Sequence, residues 1–582
     1  MNSSTENKQY DFILLGNDVG TYFAAAILSK VGFSCCILNQ TLAPKSEITL
    51  SQWSETVQIS SDVTPRLTRY QYLLDSVQYL DPAKRVVFRP IGSAADNYTH
   101  SIIAFPRLKL SDPASTIVLT SGENSVAETI AQCVSCDKSI LTEQFNKIMR
   151  CYDGMPGYLA NKISPGNKVN ENKDFTALLT HSSKSIIGGV IQENENIFSI
   201  LSNIAIVGAS EALSSASLST VALASALSMS EEGASTPIGG LAAVKRSLSE
   251  VILSCGGYVC SEAPLNEIVI EENGSGSVAK ASGVSLDNGK VLTAKKGVLS
   301  GLGALCTYTK LIKHRYVNAR TRQALSGLQE TRPKIIVLFR VNGSKDSLGL
   351  KECDYYELEY QGVDNENSST NTKIAESYLK IWSPSARHHH DMNMGGPSDF
   401  PDSSIVAVEQ YADNSIVSSN EFLFNEAPIS PSPADQSPSS FQMRDDIKGP
   451  MVNKSKLRLL ESNNVGSVIE INEQITKKLI ARATARLFAA YPKCVDKIDK
   501  SYVVPPTIGG HNASCSSKRF TADLFSKTDI EGLFLCSSDL AGLGLQGELQ
   551  AGYLGASAAL GYNSNDIILG RNIISDLQNI SQ

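Results

Sequence analysis

The residues best placed to do chemistry sit in one short turn, Gly16-Asn17-Asp18-Val19-Gly20-Thr21. A turn between a strand and a helix grips a diphosphate when glycines stand at its first, third and sixth places. The glycines let the backbone approach the phosphates, and the N–H groups at the helix start point at them. Here only Gly16 keeps its place. Asp18 stands where the second glycine belongs and Thr21 where the third does, with Gly20 one place early. A carboxylate about 4 Å from a phosphate costs roughly 1–4 kcal/mol, depending on the effective dielectric. Asp18 has a second reading, as the cap of the helix that begins near Gly20, and the two are compatible. Asn39, after the next strand, stands where an acid usually holds the ribose hydroxyls, and bonds them more weakly than an ion.

Other reactive side chains are scattered. His388, His389 and His390 with Asp391 lie in a Gly/Pro/Asp loop with no helical frame, which reads as a solvated loop and not a metal site. His511 follows Gly509 and Gly510 and reads as a hydrogen-bonded or surface histidine. His100, His181 and His314 are isolated, with no Ser or Cys nucleophile to pair with them in the sequence. Cys133 and Cys136 form one C-x-x-C without the second ligand pair that zinc requires. Cys536 ends an apolar strand and reads as core packing.

The elements that position the turn are legible. Residues 12–15 form a short apolar run suited to a buried parallel strand. The following helix places Ala24, Ile27, Leu28 and Val31 at helical spacing and is closed by Gly32. Residues 34–38 form the second strand. Alternation predicts strands in 86–120, and an Ala/Ser/Leu-rich stretch over 200–229 predicts a pair of buried helices. A helix carrying Leu241, Val244, Leu248 and Val251 leads into a strand and a hairpin turning at Asp287-Asn288-Gly289. Residues 334–341 and 378–382 read as strands of a second sheet, and 472–491 as a helix stopped by Pro492. Segments 362–372 and 427–441 read as polar insertions.

At 582 residues the chain is too long for one core, and two or three domains are expected. With 42% hydrophobic residues and a net charge of −7 it is of globular type, without a basic surface for nucleic acid. The 12 scattered cysteines suit a reducing compartment, and a cytoplasmic setting is expected. The first residues have no secretory pattern and no segment is long and apolar enough to span a bilayer. Peripheral contact with a membrane surface stays open.

Taken in order, these blocks resemble the flavin-dependent phytoene desaturase, carotenoid isomerase and retinol saturase group, with the related pyridine nucleotide-disulfide oxidoreductase domain-containing proteins. The opening turn is similar to their FAD-binding entrance. The stretch 236–305 resembles their G-G-x-x-x-L helix, with Val244 in the last place, followed by the hairpin Gly283 to Gly289 and the strand Ala294 to Ser300. Lys380-Ile-Trp-Ser-Pro-Ser385 resembles their P-S loop, and Gly532 to Cys536 with Gly542, Gly544, Gly552 and Ala556 their closing flavin motif. The resemblance implies an α/β fold: a discontinuous Rossmann-like FAD/NAD(P)-binding domain (10–80, 236–308, 502–576) with an α+β substrate domain (81–235 and 309–501). It implies FAD as cofactor, held by Gly16, Val19, Gly20, Asn39, Leu265 at the adenine, Ser538 and Asp539, and by Gly544 and Leu545 at the helix facing the flavin. It also implies an apolar, isoprenoid- or retinoid-like substrate.

The chain departs from that pattern at both ends of the cofactor. No Gly-Gly pair follows the second strand in 43–47, and Ser537-Ser538 replace the closing Gly-Asp, with Asp539 one place late. Two readings therefore stand. One is an FAD-dependent oxidoreductase of desaturase, saturase or isomerase type. The other is a binding protein on the same scaffold that has lost its flavin, as Rab escort proteins and GDP-dissociation inhibitors have, with a small GTPase as partner. A degenerate relative with neither activity is a blander variant of the second.

Overall fold

In chain order, β1 (Tyr10–Leu15), α1 (Val19–Lys30) and β2 (Cys35–Leu38) form the opening β-α-β unit. Next come β3 (Thr99–Ala104), β4 (Thr116–Thr120), α2 (Glu195–Ala209), α3 (Thr220–Glu231), α4 (Gly240–Ser254) and β5 (Tyr258–Cys260). A meander follows: β6 (Leu265–Glu271), β7 (Lys280–Leu286) and β8 (Val291–Ser300). The second half adds β9 (Lys334–Asn342), β10 (Asp354–Glu359), β11 (Ser377–Trp382), β12 (Ser403–Tyr411), α5 (Glu473–Ala490) and β13 (Ile498–Val504). The chain closes with β14 (Leu533–Leu535) and α6 (Gly544–Leu560). This is a computed structural model, and it describes residues 9–39, 47–50, 55–58, 64–65, 85–104, 116–134, 136–165, 195–209, 220–260, 265–272, 279–326, 334–359, 377–387, 403–411, 473–504, 523–541 and 544–561, with single positions between. The polar insertions, the histidine run 388–390 and His511 lie outside the described residues.

Two large sheets organise the molecule. The first runs β5-β2-β1-β8-β7-β6, with β14 on the far half of β8. Its core, β5, β2, β1, β8 and β14, is parallel. β8 does two jobs along its length. Its start pairs antiparallel with β7 at Leu292, and its end pairs parallel with β1 and β14 at Val298. The changeover is crowded: a Cβ on Gly297 would lie 2.2 Å from the Gly532 carbonyl oxygen, so only glycine fits there. The second sheet runs β13-β9-β12-β11-β10-β3-β4 and is antiparallel except for β10 on β3. β13 belongs to it through Val504.

The sequence pattern carries most of this. The Ala/Ser/Leu-rich stretch forms the buried helices α2 and α3, and Gly289 turns the predicted hairpin with φ +78°. α5 presents Leu479, Ala483 and Leu487 to Val337, Phe339, Leu379 and Ile381 on one face of the second sheet. α1 departs from the single stripe expected of it. It is buried on all sides, from Val19 to Ala26 and at Leu28 and Ser29, because α4 and α6 both pack on it as well as the sheet. Its approach to α6 is backbone against backbone: a Cβ on Gly552 would stand 2.2 Å from the Gly20 carbonyl oxygen.

Candidate functional site

The carboxyl ends of the parallel strands line one edge, where an open α/β sheet binds its ligand. Hydrogen bonds stitch that edge in a row. Asn39 N–H donates to the Cys260 carbonyl (3.0 Å), Gly16 to Leu38 (3.1 Å), Gly301 to Leu15 (2.8 Å) and Cys536 to Ser300 (2.8 Å). The opening unit, the middle hairpin and the closing glycine helix thus meet at one place.

Gly16 ends β1 with φ +138°, as the turn requires. Asp18 is the N-cap of α1; its Oδ1 accepts the Thr21 N–H at 2.8 Å. Thr21 is turned inward, fully buried against Gly16 and Gly301; a Cβ on Gly301 would come within 1.9 Å of its Oγ1. The space that the third glycine of the turn usually provides is supplied here by Gly301 across the strand.

Asn39, just after β2, is engaged by α1: its Nδ2 donates to the Tyr22 hydroxyl at 2.7 Å. At the closing block, buried Asp539 accepts the Ala304 N–H at Oδ2 (2.7 Å), tying the loop after β8 to the short turn at Ser538. Its Oδ1 is buried without a hydrogen-bond partner. Leu265 begins β6 and is buried; Gly544, with φ +60°, starts α6, and Leu545 is buried beneath it.

A group absent from every sequence expectation dominates the site. Glu548, one turn into α6, accepts the Val19 N–H at Oε2, 2.9 Å. That N–H belongs to the first turn of α1 and is the kind of donor a diphosphate takes. Glu548 is partly buried, and its carboxyl is pushed up to about 7, first by loss of water and then by the negative charge of Asp18. The Val19 N–H and Lys245 of α4 oppose the rise. Lys245 Nζ lies 3.3 Å from the Asn17 carbonyl oxygen, on the same turn. Two carboxylates therefore stand where a dinucleotide would place its diphosphate, and these residues do not fit that group. One signal was available in the sequence: Glu548 is the single charged residue of an otherwise small and apolar helix.

The remaining polar clusters are structural. His100, isolated in the sequence, is fully buried between the Ser101 and Ser230 hydroxyls, each 3.0 Å from a ring nitrogen. Burial lowers its pKa to about 4, so the ring is neutral at ordinary pH, and Ser230 is itself fully buried. In the P-S loop, Ser383 Oγ donates to the Ile405 carbonyl (2.8 Å) and accepts the Ala386 N–H (3.1 Å), pinning the loop to β12. Below it, Asp354 pairs with Lys380 (3.0 Å) and Arg387 (2.5 Å), all three out of water. Among the described residues no group of three or more His, Cys, Asp or Glu is arranged to hold a metal ion, and no helix is long and apolar enough to cross a membrane.

No family model and no curated protein matches the sequence. Solved structures do. An oxidoreductase from Methanosarcina mazei superposes with a TM-score of 0.52 at 13% identity, covering 95% of this chain and 100% of its own. A putrescine oxidase variant from a redesign of cofactor binding superposes with a TM-score of 0.51 at 15% identity, covering 97% and 99%. At such identities the likeness is one of fold: this chain shares the mixed α/β, Rossmann-type scaffold of these structures. It extends to amine-oxidase-type structures and does not single out the phytoene desaturase group.

Proposed function

We propose that this chain is a non-catalytic binding protein built on the flavoprotein scaffold, folding without FAD. One observation carries the reading: the N–H that opens α1 is taken by the protein's own Glu548, with Asp18 alongside. Each carboxylate within about 4 Å of a diphosphate opposes it by roughly 1–4 kcal/mol. The cargo class is an apolar ligand, either a small isoprenoid-like molecule or the lipid tail of a prenylated small GTPase. The far face of the second sheet gathers Ile336, Leu338, Trp382, Ile405, Ala407 and Val504 into a buried apolar cluster.

The rival reading is an FAD-dependent oxidoreductase of desaturase, saturase or isomerase type. What favours it is the meeting of the three nucleotide blocks at one sheet edge, and the Asp539 oxygen left without a partner there. One experiment separates the two. The full-length protein, purified and then incubated with excess FAD and desalted, is expected to show no absorbance near the flavin band. A stoichiometric yellow complex would replace the binding-protein reading with the enzyme.

A further inference from the structure

Resting on the cofactor-free reading, a second question is what keeps the nucleotide out: the shape of the site or its charge. We propose that Glu548 is a built-in ligand of the nucleotide site, and that the charges of Glu548 and Asp18, rather than a lost pocket, exclude a diphosphate.

The geometry of an anion site is otherwise retained. The strand ends are in register, Leu15 beside both Leu38 and Ser300, and Ser300 beside Leu535. Thr21, at the third glycine place, does not push α1 off the sheet, because Gly301 makes room for it. Gly20 and Gly552 keep α1 and α6 in backbone contact, which is how Glu548 reaches a helix distant from it in sequence. Lys245 stands on the third side, at the Asn17 carbonyl. A helix start, a cation and a glycine turn thus converge on one position, and a carboxylate is bound in it. The groups facing that carboxylate are the Val19 N–H of α1, Asp18 from the turn and Lys245 from α4. Among the described residues two of these groups attract an anion, and Asp18 repels one.

The test uses the full-length chain. Glu548→Ala combined with Asp18→Ser removes both charges and keeps a helix cap, since serine caps as well as aspartate. Inorganic pyrophosphate is titrated by calorimetry and FAD by fluorescence quenching. The double variant is expected to bind pyrophosphate at least tenfold more tightly than the parent and to acquire saturable FAD quenching. A double variant with the parent's circular dichroism and no gain for either probe overturns the proposal. If that variant does not fold, Glu548→Gln decides, because it keeps the hydrogen bond and removes the charge. With inorganic sulfate, which does not titrate in this range, the parent is expected to bind several-fold better at pH 5.5 than at pH 8, and Glu548→Gln equally at both. A parent profile that is flat overturns the proposal. A parent that binds FAD as purified defeats the cofactor-free reading itself; a colourless parent with a silent double variant defeats only this inference.

Discussion

Asp354 and Glu548 are carboxylates inside the fold, the first fully and the second partly buried, and the molecule treats them in opposite ways. Asp354 lies in the second sheet between Lys380 and Arg387, 3.0 and 2.5 Å away, with Arg387 also donating to the Glu352 carbonyl at 3.0 Å. Lys380 further sits over the Tyr356 and Trp382 rings, at 5.3 and 5.5 Å. Every charge there has a partner. Glu548 faces a second carboxylate, one N–H and one lysine, and it holds its proton up to about neutral pH. A buried charge costs several kcal/mol unless paired, so complete pairing marks a structural joint. Incomplete pairing leaves a position whose charge state shifts with pH. The second sheet keeps its charges for architecture, and the nucleotide half keeps a carboxylate facing another carboxylate at the start of α1.

The comparison breaks most visibly at Asp354. Asp354→Asn removes the carboxylate shared by buried Lys380 and Arg387 and is expected to cost about 3–5 kcal/mol, measured by urea unfolding. A loss below about 1 kcal/mol would show that this cluster is not the joint described.

Next in size is Gly552→Ala, whose new Cβ would stand 2.2 Å from the Gly20 carbonyl oxygen. It is expected to destabilise by about 1–3 kcal/mol and to part Glu548 from Val19. Slower amide exchange at Val19 in the variant than in the parent would contradict that separation.

The smallest effect has the opposite sign. The folded-state pKa of Glu548, about 7, lies above the ordinary 4.5, so between those values the native form holds a proton that the unfolded chain releases. Its contribution to stability is therefore greatest at acid pH and declines as pH rises through that window. Glu548→Gln is expected to remove this slope and to raise stability at pH 8 by about 1–2 kcal/mol, the partial exposure of the side chain reducing the full effect. Equal thermal midpoints for parent and variant at pH 8 would place the Glu548 charge in solvent.

Much of the architecture follows from local pattern. The apolar run of β1, the glycine closing α1, the Asn-Gly hairpin and the stripe of α5 each state their element in the sequence, because burial period and turn geometry are local properties. The order of the blocks likewise places Gly16, Asn39 and Asp539 near one another. The reading of Asp18 as a helix cap also rests on local chemistry, and the cap is what forms.

Other features depended on distance in space. Thr21 counts as a damaged glycine in the turn, yet Gly301, far along the chain, receives it. Asn39 suits a ribose by position, yet Tyr22 holds it. His100 has adjacent Ser101 on one ring nitrogen, but the partner of the other, Ser230, comes from across the fold. Glu548 reads as one acid in a glycine-rich helix until α6 lies against α1. The sequence by itself determined which segments become strands and helices and in what order they join the sheets. The fate of the nucleotide site was decided only by packing, because hydrogen bonding and charge act through space, and the carboxylate on Val19 arrives from the far end of the chain.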